Sequence, residues 1–196
     1  AGELVWRERE RKSHELFGAA PVPDWVFVTP KILAISLVLF ITLLLSVAVG
    51  VGVQAIKGYQ DFEFDKYVVW YMLPGFVCML QLAILAIFLQ AISPHKYVGW
   101  GLMGLYIISN LMLSNLGYDH RLYRYGNATG VPLSDMNGMG YFWIGRTWLQ
   151  VYWSAIALLL VIIAFSIWPR GTESRYRPRL ARLWQRLRGT AGTIGA

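Results

Sequence analysis

Four stretches of the chain carry no Asp, Glu, Lys or Arg and are apolar almost throughout: Ile32–Ile56, Val68–Ile92, Tyr97–Leu116 and Trp148–Trp168. Crossing about 30 Å of hydrocarbon takes roughly 20 helical residues, and each stretch meets that length. The pattern predicts an all-α integral membrane fold of four spans. A transmembrane domain over 31–168 is expected, preceded by a cytoplasmic segment (1–30) and followed by a basic tail (169–196). Pro74-Gly75 falls inside the second stretch, where a lost i−4 hydrogen bond predicts a kink.

The polar regions differ from one another. Glu3 to Leu16 is dense in charge, and the Glu3/Arg7 and Glu8/Lys12 pairs are spaced i,i+4 in the orientation that supports a helix. Gly18, Pro21 and Pro23 should end that helix and turn the chain into the membrane. A 31-residue connection, 117–147, separates the last two spans. A connection of that length tends to hold structure or function of its own. Within it, Met139 to Trp148 is too apolar for a free loop and too short to span, which predicts an interfacial or re-entrant piece. After Trp168, arginines alternate with Leu180, Leu183, Trp184 and Leu187, a basic amphipathic pattern suited to an anionic leaflet.

Composition agrees with the span pattern. Apolar residues make up 56% of the 196 positions and charged residues 15%, against about 25% charged in soluble domains. The net charge of +7 would suit nucleic acid, but its distribution argues for a membrane. Of 18 lysines and arginines, 13 fall on the side of the two ends and the Ser93–Lys96 turn. Five, namely Lys57, Lys66, Arg121, Arg124 and Arg146, fall on the other. Both termini should therefore be cytoplasmic, and no nucleic-acid partner is expected. The chain opens on Ala1 within a charged motif, which suggests part of a longer polypeptide. Its single cysteine, Cys78, lies in a span and cannot form an internal disulfide.

Candidate chemistry is sparse. His14-Glu15 lacks the second histidine of a zinc-protease helix, since position 18 is Gly18. His95 and His120 belong to loops on opposite sides. Asp119-His120-Arg121 reads either as a catalytic pair or, more simply, as a loop anchor. Ser134 to Gly138 resembles part of a calcium loop but lacks its repeated oxygen ligands and closing Glu, and reads more simply as a turn; Asp135 and Asn137 join Asp119, His120 and Arg121 as candidate outer-loop contacts. Asn127-Ala128-Thr129 is a glycosylation sequon. No phosphate-binding loop is present. Within the spans the polar residues are neutral, Gln81 and Asn110 lying deepest. They would either bond between helices or line a substrate path. Without ionisable groups in the spans, ion coupling is not expected. No enzyme activity, metal or cofactor is expected in this chain.

The first 31 residues resemble the cytoplasmic segment of type 2 ABC exporter permeases: a Glu-Arg pair in a short charged helix (Glu8-Arg9 or Glu10-Arg11), then Ala20-Pro21, then Lys31 opening a span. The resemblance implies a coupling helix, with Arg7, Glu8, Arg9, Glu10, Arg11 and Lys12 meeting an ATP-binding subunit and Pro21, Pro23 and Lys31 forming the elbow. ATP would then bind in that partner. A second permease half, or a second copy, would complete the path in a bacterial inner membrane. Longer phrases, among them Gly2 to Arg9, Leu116 to Gly126, Ser134 to Gly138 and Arg170 to Glu173, are similar to bacterial permeases that continue into a zinc aminopeptidase domain. This chain holds no zinc-binding motif, so no hydrolytic activity is implied for it. The alternative function is a membrane anchor or scaffold for a peptidase or other partner.

Overall fold

The computed structural model describes residues 2, 3, 6, 25–59, 61–118, 120–127, 130, 138 and 140–167, without the side chains of 25–27 and 166. Every regular element among them is helical. Four helices are long and apolar enough to cross a membrane, and the chain is a multi-pass membrane protein. They are α1 (Trp25–Ile56), α2 (Phe64–Ile92), α3 (Lys96–Asn115) and α4 (Phe142–Ile167). Four crossings return the end of α4 to the face from which α1 starts.

The helix boundaries differ from the expected ones at three ends. Helix α1 starts seven residues before Ile32, running through Pro30. Lys31 therefore sits in the second turn, only 5% exposed. Helix α2 begins at Phe64. The largest difference is α4, which begins at Phe142. Most of the stretch expected to be interfacial or re-entrant is instead its first two turns. Arg146, taken from the sequence as a loop residue, thereby enters a spanning helix. A single arginine near a helix end keeps its stem among apolar neighbours while its head reaches toward water, so it does not stop the helix.

The Pro74-Gly75 irregularity takes a specific form. Phe64–Lys66 is one α-turn, Tyr67–Met72 is π-helical, and Leu73–Ile92 is α-helical. Proline displaces the carbonyl four residues before it, here that of Trp70, and the widened π-turn accommodates this without breaking the helix. At the other ends, glycines close the helices. Gly58 (φ 82°) and Gly117 (φ 80°) take left-handed conformations that end α1 and α3. There the Tyr59 N–H donates to the Gln54 carbonyl, and the Tyr118 N–H to that of Leu113 (3.0 Å each), satisfying end carbonyls of both helices.

Helix α2 is the hub. It packs most extensively on α4 and also on α1 and α3. Against α1, Gly75 lets Leu43 approach. The Phe40 and Phe76 rings meet edge-on at 5.9 Å, and the Ser46 and Tyr71 hydroxyls bond at 2.8 Å. The outward faces are apolar: Leu37, Val38 and Leu45 of α1 are 60–62% exposed. Exposure of that kind, continuous along a helix, is what lipid covers.

Candidate functional site

Helices α3 and α4 both pack on α2, and the crevice between them is closed by the connection that joins them. Tyr125 is the wedge. Its hydroxyl donates to the Gln81 carbonyl of α2 at 3.1 Å. Its ring meets Trp153 of α4 edge-on at 5.3 Å. Its carbonyl accepts from the Tyr106 hydroxyl of α3 at 2.6 Å. The next residue, Gly126, is buried with φ 70°, a left-handed turn that glycine adopts without steric cost. Its carbonyl accepts from the Cys78 thiol at 3.0 Å.

These contacts fix the depth of the loop. Cys78 is 14 residues from either end of α2, about 21 Å along the axis at 1.5 Å per residue. Tyr106 lies nine residues before the end of α3, about 14 Å inside. The loop therefore descends to mid-height of the bundle. Irregular backbone survives at membrane depth only where protein satisfies its polar groups. Here the Tyr125 and Gly126 carbonyls have side-chain donors.

Gln81, 3% exposed, ties the same level to α4. Its Nε2 donates to the Gln150 carbonyl at 3.0 Å and to Ser154 Oγ at 2.9 Å. Gln150 answers from α4, donating Nε2 to the Pro74 carbonyl at 2.9 Å. Pro74, Cys78 and Gln81 are spaced i, i+4, i+7, one face of α2. Above them a cavity of about 380 Å³ lies between α2 and α4, lined by residues that include Trp70, Leu73, Trp143, Arg146 and Thr147.

A second polar contact lies at the opposite face. Gln90, 3% exposed, accepts from Trp6 Nε1 at 2.7 Å. Gly99 of α3 lies directly against the Gln90 amide. Trp6 is itself 8% exposed, so this residue is fastened to the last turn of α2.

The structure places the sequence-derived candidates unevenly. Arg7 to Lys12, Pro21, Pro23, Asp119, Asp135 and Asn137 lie outside the described residues. His120 and Arg121 are exposed. His120 Nδ1 accepts from the Leu122 N–H at 3.4 Å at the head of the 3₁₀ turn Arg121–Tyr123. Gln81 bonds between helices, whereas Asn110 donates to the Tyr106 carbonyl of its own helix at 3.0 Å. Among the described residues, no three His, Cys, Asp or Glu side chains converge as metal ligands would. Tyr125, Gly126 and Arg146 are the residues that sequence reasoning missed. The signal for the first two was an aromatic followed by glycine in a connection too long for a simple turn. No protein-family model, curated protein or solved structure matches this chain.

Proposed function

We propose that this chain is the membrane-spanning permease part of an ATP-driven transporter of the ABC type, coupling ATP hydrolysis in a separate subunit to substrate movement. The observation that carries this reading is the Trp6–Gln90 bond at 2.7 Å. The segment bearing the coupling-helix likeness starts from a residue fastened to α2, the helix on which the other three pack. A displacement of Arg7 to Lys12 by an ATPase would thus be delivered to the hub of the bundle. Both termini are cytoplasmic in this reading, and the membrane is the bacterial inner membrane. A second permease half or a second copy supplies the other wall of the path, since α2, α3 and α4 close on their own loop. The chain itself performs no catalytic step.

The second reading is an anchor or scaffold for a peptidase or other partner. It is favoured by the same closed crevice, because helices locked together at mid-height suit a rigid support. Affinity purification of the natural full-length protein in mild detergent separates the two. Co-purification of an ATP-hydrolysing subunit, lost on charge swaps across Glu8 to Lys12, is the expected result. In the reconstituted complex, Glu10→Ala with Arg11→Ala should uncouple hydrolysis from transport while leaving the fold intact. A clean preparation without ATPase under several gentle conditions would replace the transporter by the anchor.

A further inference from the structure

We infer that the π-helical stretch Tyr67–Met72 is a gate on the cavity between α2 and α4: tightening it to an α-helix turns the Trp70 indole into the cavity and closes it. The occupant is thus a side chain of this protein, and the device does not depend on whether the chain transports or anchors. A π-helix bonds each carbonyl to the N–H five residues on, where an α-helix uses the fourth. Here the Leu73 N–H donates to the Val68 carbonyl, five residues back. In an α-helix, residues at i, i+3 and i+4 share one face, so conversion brings Trp70 onto the stripe of Leu73 and Pro74. All three line the cavity, facing the first turns of α4, and Trp70 is half-buried there. The space of about 380 Å³ falls in the range of small-molecule sites, roughly 300–1,000 Å³, and takes one indole.

The outer end of α2 is free to make this change. Only one α-turn, Phe64–Lys66, precedes the π-stretch, and residues 61–63 before it belong to no helix. Tightening rotates that end by about 100°, one residue's worth, and the short non-helical segment takes it up. Two features hold the open register. In an α-helix the Pro74 ring would clash with the carbonyl four residues back, that of Trp70. On the α1 side, the Tyr71 hydroxyl bonds that of Ser46 at 2.8 Å, and Gly50 lies against Tyr67. Opposing them is the intrinsic disfavour of π-turns, which are rare, short and recurrent at functional sites. Opposed costs at one place make a two-state element, where proline alone would make a fixed kink.

The test is fluorine NMR on the full chain in lipid nanodiscs, with fluorinated tryptophan incorporated and the Trp70 signal identified by its loss in Trp70→Phe. Dissolved oxygen concentrates among the acyl chains, so it broadens an indole turned to lipid and spares one turned into the cavity. Trp70 should give both kinds of signal. Pro74→Ala removes the clash that opposes the α-register and should raise the spared-to-broadened ratio by at least about tenfold. Ser46→Ala cuts the bond to Tyr71 and should raise it about threefold; it decides the matter if Pro74→Ala fails to fold. Thr147→Phe, which fills the cavity from the α4 wall, should lower the ratio. A Trp70 signal that neither Pro74→Ala nor Ser46→Ala moves in the folded protein, or a ratio that Thr147→Phe leaves unchanged, would overturn the proposal.

Discussion

Replacing Gln81 by Met removes the amide that joins α2 to α4 while keeping an unbranched side chain of similar length. No cavity is opened, so the cost is that of two hydrogen bonds, 3.0 Å to the Gln150 carbonyl and 2.9 Å to Ser154 Oγ. Side-chain hydrogen bonds between membrane helices average about 0.6 kcal/mol, with a maximum near 1.7. Two of them give about 1.2 kcal/mol, or about a sevenfold fall in the folding equilibrium constant. The upper bound is about 3.4 kcal/mol. The lower figure is the better one, because the Ser154 hydroxyl can turn to the Gln150 carbonyl four residues earlier once the amide is gone. Titration of SDS into the detergent-solubilised chain, followed by helix content, measures the shift. A double-mutant cycle with Ser154→Ala should return a coupling of about 0.6 kcal/mol. A Gln81→Met protein as stable as the parent, with zero coupling to Ser154, would refute the bonded crevice. A loss well above about 3.4 kcal/mol would show that Gln81 carries more than these two bonds.

Tyr125→Phe should cost about 0.6 kcal/mol, since the ring stays on Trp153 and only the bond to the Gln81 carbonyl is lost. Tyr125→Ala removes the side chain that meets α2 and α4, and a void of aromatic size costs about 3–5 kcal/mol. Cys78, the only cysteine, reports the opening: a membrane-permeant maleimide should label it at least about tenfold faster in Tyr125→Ala, and an unchanged rate would count against the wedge. At the opposite face, Trp6→Phe keeps the packing but loses the 2.7 Å bond to Gln90, and proteolysis of the first 24 residues should accelerate about fivefold for a loss near 1 kcal/mol. Gly99→Ala pushes a methyl onto the Gln90 amide and should have the same effect. The two changes should not add, because they break one contact.

The spans were legible because nothing in a bilayer tolerates a charge at every third or fourth position, as a soluble helix requires. Absence of charge over 20 or more residues is therefore a strong signal, and it located all four helices. It does not mark where α4 begins. The charge-free stretch begins at Trp148, whereas the helix begins at Phe142 and accommodates one arginine in its second turn. Gln81 was legible as a deep polar residue, but its partners were not. Asn110, equally deep by sequence, bonds to its own helix. Which of two polar side chains reaches across depends on the facing helix and on the loop between, neither of which is a local property.

The two buried glutamines of α2 show why the helix can act as a lever. Gln81 and Gln90 are nine residues apart, which at 100° per residue places them on opposite faces. One faces α4 and the crevice, and the other faces the Trp6 segment and Gly99 of α3. In the proposed transporter reading, a force on Trp6 would enter α2 at Gln90 and reach Gln81 nine residues, about 14 Å, further on. Between them lie Leu82 to Leu89, apolar residues in regular α-helix with neither proline nor glycine, so no hinge absorbs the motion. The looser part of α2, the π-helical stretch and Pro74-Gly75, lies beyond Gln81. Motion passed along the rigid half would bend the helix there, beside the α2–α4 cavity. Disturbance at Trp6 should thus be felt at the crevice and cavity together, and Trp6→Phe offers the direct check: it should raise Cys78 labelling as well as proteolysis. Proteolysis rising alone would show that the two glutamines serve separate anchors.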